Sequence, residues 1–321
     1  MANHIESKCE EALLCNGFSV SGERLERTEF KAESSRHLAE EEITKAALEL
    51  EIKEYKLLDY ELPESAVNIS VDDVCVKRQT ETRPRPEKDT QAKRVNNTVI
   101  HVQHKDGKYI LNSATIFGCL KLLLGFLLCG DLLNRQLVFF TDGAKDIHNE
   151  ITRLFAFANH KIILDWWHLN KKLKEELSRA MNGRAVRNAA VDIVSSLLWF
   201  GNVDGAISAL REIDVRNIKD QEKIEGFIKY LERVREYIPC YAMRKKLGLR
   251  NSSNLGEKAN DLVVSGRQKH NGMSWSNDGS HAFASVASIA CNQQLLNWIH
   301  GNDIQFQFCI QDFCGEHDVA A

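Results

Sequence analysis

An α/β fold, with a mixed sheet interrupted by a long all-helical stretch, is predicted for this chain of 321 residues from three observations. Short runs rich in β-branched and aromatic residues, at 67–78 (VNISVDDVCVKR), 98–103, 109–112, 137–140 and 162–164, read as strands. Amphipathic or apolar segments of helical length lie before and between the last two runs. From residue 170 to about residue 250 the pattern is wholly helical, with no strand signal.

Taken in order, residues 1–62 read as polar and helical with a thin apolar stripe (Ile43, Ala46, Ala47, Leu50), ended by Pro63, which suits a helical arm, a dimerisation segment or the remnant of a larger N-terminal domain. The sheet domain begins with residues 63–169. Its first strand carries paired acids, Asp72 and Asp73, where a carboxylate is disfavoured unless it faces water, a cation or a metal. Alternation groups Asp73 with Val67, Ile69 and Val71, and Asp72 with Val74 and Val76, so parity leaves both open. A polar loop is expected over 80–97, and Lys105-Asp106-Gly107-Lys108 marks a hairpin between the second and third strands. The helix expected over 116–133 opens with an apolar run, 116–128, too short to span a bilayer and containing Lys121, so it belongs to the core. Residues 137–140 end in Thr141-Asp142-Gly143. Ile147, Ile151, Leu154, Phe155 and Ala158 come next at helical spacing, and 162–164 is stopped by Asp165. The order βββαβαβ, with one aspartate on the first strand and another closing the fourth, is the ribonuclease H-like topology. The two aspartates that end strands also suit turn or helix-cap positions, whereas ligands of open α/β sheets bind at such strand ends.

The insertion, 170–250, has two apolar stripes: Ile193, Leu197, Leu198, Val203, Ile207 and Leu210, broken near Gly201-Asn202, then Ile224, Phe227, Ile228, Leu231, Val234 and Ile238, ended by Pro239. Residues 251–300 return to the sheet domain. Asn254 and Glu257 match a capping box opening a helix. A polar loop with Gly272, Trp275 and Gly279 leads to a last helix over 281–299, with Phe283, Val286, Ile289, Ala290 and Leu296 inward. Residues 301–321 read as a poorly ordered tail.

Composition narrows the class. With 43% hydrophobic and 27% charged residues the chain is an ordinary globular protein, and its net charge of −3 does not advertise a nucleic-acid binder. Local charge is more informative: Lys171, Lys172, Lys174, Arg179, Arg184 and Arg187 form one basic cluster, Arg244–Arg250 another, and Arg267, Lys269 and His270 a third. Such clusters are also what a solvated helix face looks like. Nine cysteines without a CxxC pair argue against a disulfide framework or zinc ribbon and fit a reducing compartment. No signal peptide is expected.

Three carboxylates from separate segments meet the need of a two-metal phosphoryl-transfer site, in which paired ions clamp the attacking and leaving oxygens. Asp72, Asp142 and Glu257 fill that role if the topology holds, with two Mg²⁺ (or Mn²⁺) ions as cofactors, because Mg²⁺ takes a few carboxylates plus water and phosphate oxygens. The blocks ISVDDVCVK, FFTDGAKDIHNEI, IILDWWHLNKKL and NSSNLGEKANDLVVSGRQKHNGMSWSNDGS resemble those of bacterial insertion-sequence transposases of the DDE type, in the group related to Mutator-like elements. The resemblance covers residues 68–299. It implies Asp72, Asp142 and Glu257 as the catalytic metal-binding acids, an Asp165–His168 pair just past the fifth strand, and an aromatic at Trp275 in the late loop. Asp73 stands where the family usually has a small residue, and the N-terminal region is short for the family, which implies a truncated DNA-binding region. The function expected is Mg²⁺-dependent DNA strand cleavage and strand transfer by a homo-oligomer acting on element ends and target DNA, in the cytoplasm at the nucleoid, with no membrane partner. Lys171, Lys172, Lys174, Arg267, Lys269 and Trp275 are the expected DNA contacts, and Asp73, Asp165 and His168 surround the metals. The alternatives are a catalytically inactive DNA-binding remnant and another ribonuclease H-like nuclease.

Overall fold

A computed structural model describes residues 60–62, 65–79 and 94–309. The expected N-terminal arm, most of the 80–97 loop and the end of the tail lie outside the described residues. The fold is built on a five-stranded mixed sheet in the spatial order β3-β2-β1-β4-β5. Strands β1 (Val67–Lys77), β2 (Arg94–His104) and β3 (Gly107–Ser113) form an antiparallel meander. β4 (Leu137–Thr141) lies parallel to β1, and β5 (His160–Leu164) lies parallel to β4. β2 starts inside the expected polar loop: Asn97 is fully buried and its amide donates to Ser280 Oγ at 2.8 Å, a buried partner that sequence polarity alone does not reveal.

Alternation along β1 divides the core. Val67, Ile69 and Val71 face α1 (Ile116–Cys129) and α2 (Lys145–Leu154), packing with Leu120, Leu123, Leu127, Ile147 and Ile151. Thr115 caps α1 by accepting from Gly118 N at 3.1 Å, and the helix stops at Gly130, short of the expected residue 133. One stripe of α1 is buried, while Phe117, Leu122 and Leu128 are exposed. Among the described residues no helix is long and apolar enough to cross a membrane, and every cysteine is a free thiol.

The other sheet face is covered in two parts. Val138, Phe140 and Ile163 continue into the core of the helical stretch. That stretch comprises α3 (Trp166–Ala180), α4 (Arg184–Trp199), α5 (Val203–Arg211), α6 (Gln221–Val234) and α7 (Tyr241–Lys246). The break near Gly201 is present: Gly201 has φ +74°, and Asn202 caps α5 through Gly205 N at 2.8 Å. Ile193, expected inward, is 56% exposed, because Val191, Val194 and Leu198 form the buried stripe instead. Val74, Val76, Val95 and Val99 pack against α8 (Asn254–Asn260), the π-helical turn Asp261–Ser265 that continues it, and α9 (Asn277–Cys291).

The last helix differs from expectation. α9 ends at Cys291, Gln293 takes φ +60°, and a short α10 (Leu295–Ile299) comes after it. The inward face of α9 is Ser280, Ala284 and Ser288, small residues that let the helix lie close to β2 and β3, whereas Phe283, Val286 and Leu296 are exposed. Residues 301–309, expected as loose tail, lie along the sheet edge: Cys309 and Lys108 exchange backbone hydrogen bonds at 2.9 and 3.2 Å. Phe306 and Phe308 meet Phe126 edge-on.

Candidate functional site

The parallel register of β1 on β4 runs from Val67 beside Leu137 to Ser70 beside Phe140. Continued two residues, it sets Asp72, midway along β1, level with Asp142, just past the carboxyl end of β4. Asp142 comes directly after β4, is exposed, and accepts from Ala144 N at 2.9 Å through Oδ1, which shapes the turn into α2. Gly143 has φ +88°, and a Cβ there would lie 2.9 Å from Leu164 Cδ1 and 3.0 Å from the Tyr230 hydroxyl, so only glycine fits this turn.

Glu257 is carried by α8, the helix that packs on β1 and β2. The helix can approach β1 closely because position 256 is glycine: a Cβ there would sit 2.6 Å from Ser70 Cβ. One turn beyond Gly256, Asn260 Nδ2 donates to Asp72 Oδ2 at 2.5 Å. Asp72 therefore faces α8, whereas Asp73 lies on the opposite sheet face and accepts from Thr98 Oγ1 at 2.5 Å. Burial, the Asp142 charge and then the weaker repulsion of Asp73 push the Asp72 carboxyl up to about 6, against a lowering pull from His168. Burial also raises Asp73, with its Thr98 hydrogen bond pulling the other way.

His168 contacts one acid and lies within electrostatic reach of a second, Asp72. Its Nε2 stands 3.3 Å from Glu257 Oε1. The expected Asp165–His168 pair exists, but through the backbone: Asp165 caps α3, its Oδ1 accepting from His168 N at 3.0 Å, while Oδ2 accepts from Ser253 N. Asp165 is 1% exposed. It clamps the end of β5 to the segment that launches α8, helped by Trp166 N donating to Asn251 O at 3.0 Å and Tyr241 Oη donating to Leu164 O at 2.7 Å. Position 165 thus sets where Glu257 arrives. The capping box expected from Asn254 and Glu257 does not form: Ser253 is the cap residue, Asn254 Oδ1 accepts from Ser252 Oγ, and Glu257 turns to His168.

Among the described residues, no three His, Cys, Asp or Glu side chains close on a single point. The donor set nevertheless fits hard divalent cations: the Asp72 and Asp142 carboxylates stand within electrostatic reach of each other, and beside them Asn260 Oδ1 is buried without a hydrogen-bond donor. A buried oxygen acceptor with no donor, beside two repelling carboxylates, is an environment short of positive charge.

The expected DNA contacts differ in exposure and partners. Lys171, Lys174, Arg267 and Lys269 are exposed. Lys171 Nζ lies 4.6 Å over the ring of Trp167, an aromatic next to His168 that is 47% exposed. Lys172 is half-buried, 4.7 Å over the ring of Tyr230. Trp275 is half-buried too: its Nε1 donates to Gln268 O at 3.1 Å, its ring packs on Phe283, and its backbone N–H donates to Lys77 O at 2.9 Å. It closes the end of β1, while Trp167 is the more open aromatic.

Helix α6 contributes to the site in a way its sequence does not announce. Arg233 donates to Gly143 O at 3.3 and 3.4 Å and lies 5.3 Å over Tyr230, whose hydroxyl is buried without a partner. Burial raises Tyr230 to about 12, against the lowering pull of Arg233. Below the turn, Thr141 Oγ1 and His148 Nε2 are hydrogen-bonded at 2.6 Å, and burial lowers His148 to about 4, leaving the ring neutral at pH 7. Regular spacing along α6 marks its buried face but carries no sign of which partner that face meets. No protein-family model matches the chain, and comparison with curated proteins found no significant match.

Proposed function

We propose that the protein is a DDE-type DNA transposase with a ribonuclease H-like catalytic domain, of the Mutator-related insertion-sequence group, cutting and joining DNA strands as a homo-oligomer at the nucleoid. One observation carries the reading: Asp72, midway along β1, lies level with Asp142 at the end of the adjacent parallel strand β4, and the helix that donates to Asp72 through Asn260 also carries Glu257, after an all-helical insertion. The strand order, three antiparallel strands and two parallel ones, supports the ribonuclease H-like reading.

Asp72, Asp142 and Glu257 would hold two Mg²⁺ or Mn²⁺ ions, which when bound supply stabilisation of the attacking and leaving oxygens. The chain's own residues do the positioning. Asn260 fixes the Asp72 carboxylate, Gly143 and Arg233 fix the turn carrying Asp142, and His168 holds Glu257. Lys171, Lys174, Arg267 and Lys269 supply the cationic surface that draws DNA phosphates. Strand cleavage by water and joining by a freed 3′-hydroxyl are both in-line displacements at phosphorus, so one carboxylate centre serves both.

The test is a gel-shift and nicking assay on element-end DNA with and without Mg²⁺. Asp142→Asn and Asp72→Asn should abolish metal-dependent nicking and leave DNA binding intact or slightly stronger, since each removes repulsion toward phosphate. Asp73→Asn should retain nicking. Wild-type nicking rates in Asp142→Asn would rule the site out, and binding without nicking by the wild type would favour a DNA-binding remnant.

A further inference from the structure

The end of the sheet opposite the carboxylates holds a cavity of about 230 Å³. It is bounded by the start of β1, the end of β2 and the turn at residues 248–250 that leaves the helical insertion. Three charged side chains line it: Glu61, Lys105 and Arg250. Glu61 is already committed, because its carboxylate is paired with Arg244, both side chains being essentially fully buried at 1% and 0% exposure. Lys105 and Arg250 have no carboxylate partner among the described residues, so the lining carries uncompensated positive charge.

Arg250 is the unusual member. It is only partly exposed, its backbone carbonyl is taken by Arg244 Nε at 2.9 Å, and its guanidinium lies within electrostatic reach of His101 on β2. His101 is 4% exposed with Nδ1 unpartnered. Asn68 and Gln103, opposite each other on β1 and β2, form the floor, and Gln103 Oε1 is buried without a donor. A guanidinium withdrawn from water without an acceptor is costly, and its planar fork of donors matches an oxyanion.

We propose that this cavity is a second, independent site that binds a phosphate-type oxyanion, with Arg250 as its main ligand, Lys105 at its mouth and the Gln103 amide, turned to present its NH₂ group, at its floor. The phosphate belongs either to a free small molecule or to a nucleic-acid backbone, and the two sources separate by experiment.

The full chain is unfolded thermally in inorganic phosphate against chloride at matched ionic strength, and separately with short duplex DNA. Wild type should gain on the order of 5 °C in Tm at a phosphate concentration about a hundred times Kd, the gain rising with the logarithm of concentration above Kd. Arg250→Met should lose that gain while keeping or raising its Tm in chloride, since it removes an unpaired, partly buried charge. Lys105→Met, at an exposed position, should fold normally and weaken binding several-fold. A response to inorganic phosphate assigns a free anion; a response to duplex DNA alone, reduced in both variants, assigns a backbone phosphate. No response to either probe, or one unchanged by both substitutions, overturns the proposal.

Discussion

Single atoms decide the geometry at Gly256 and Asp72. Gly256→Ala gains helix propensity but drives its Cβ against that of Ser70, and overpacking of this kind costs about 1–3 kcal/mol. A lower urea midpoint is expected, restored when Ser70→Gly is added; Gly256→Ala more stable than wild type would contradict the close approach. Asp72 makes a pH prediction for the metal-free protein. Its folded-state value, about 6, lies above the ordinary aspartate value, so the folded state binds the proton more tightly. Stability should therefore fall as pH rises from about 4 to 6, and Asp72→Asn should flatten that slope. Magnesium should raise Tm at pH 7 more than at pH 5, where protons compete for the carboxylate, and an equal gain at both would argue against binding there. The choice between Asp72 and Asp73 was illegible in sequence because both faces of β1 are buried; only the position of α8 separates them.

At the scale of elements, strands and helices were largely legible, since alternation and helical spacing record which side of each element is dry. The reading failed where polar or small residues serve as the buried side. Asn97 extends β2 into an expected loop, and Ser280, Ala284 and Ser288 seat α9 while its larger apolar residues stay outside. The brace from α6 to the Asp142 turn was invisible for another reason: it depends on how two distant helices meet. Tyr230→Phe removes a buried hydroxyl that has no partner, so stability should be unchanged or higher. A loss above about 1 kcal/mol in thermal unfolding would reveal a donor or acceptor at that hydroxyl. On the proposed reading, charge reversal at the exposed Lys171, Lys171→Glu, should weaken DNA binding and make the salt dependence shallower, by roughly 1 in slope for every phosphate left without its cation. Binding titrations at several salt concentrations read both effects.

For the molecule as a whole, the helical insertion is not a separable appendage. Its core runs without interruption from Val138, Phe140 and Ile163 through Leu173, Val194, Ile207 and Phe227 to Tyr241. The sheet and the helical stretch should therefore unfold in one transition, with fluorescence of the five tryptophans, Trp166 and Trp199 in the shared core among them, coincident with far-ultraviolet circular dichroism. Two resolved transitions would show that the insertion melts alone.

The hydrogen bond between Asn260 and Asp72 joins positions 188 residues apart in sequence. On a ribosome, β1 to β5 emerge and can pair long before α8 exists, so a growing chain holds two of the three acids and none of the third. The contact between β1 and α8 forms only after the whole insertion has been made. On the proposed reading, stalled chains ending inside the insertion should show no metal-dependent nicking, because Asn260 and Glu257 are absent from them.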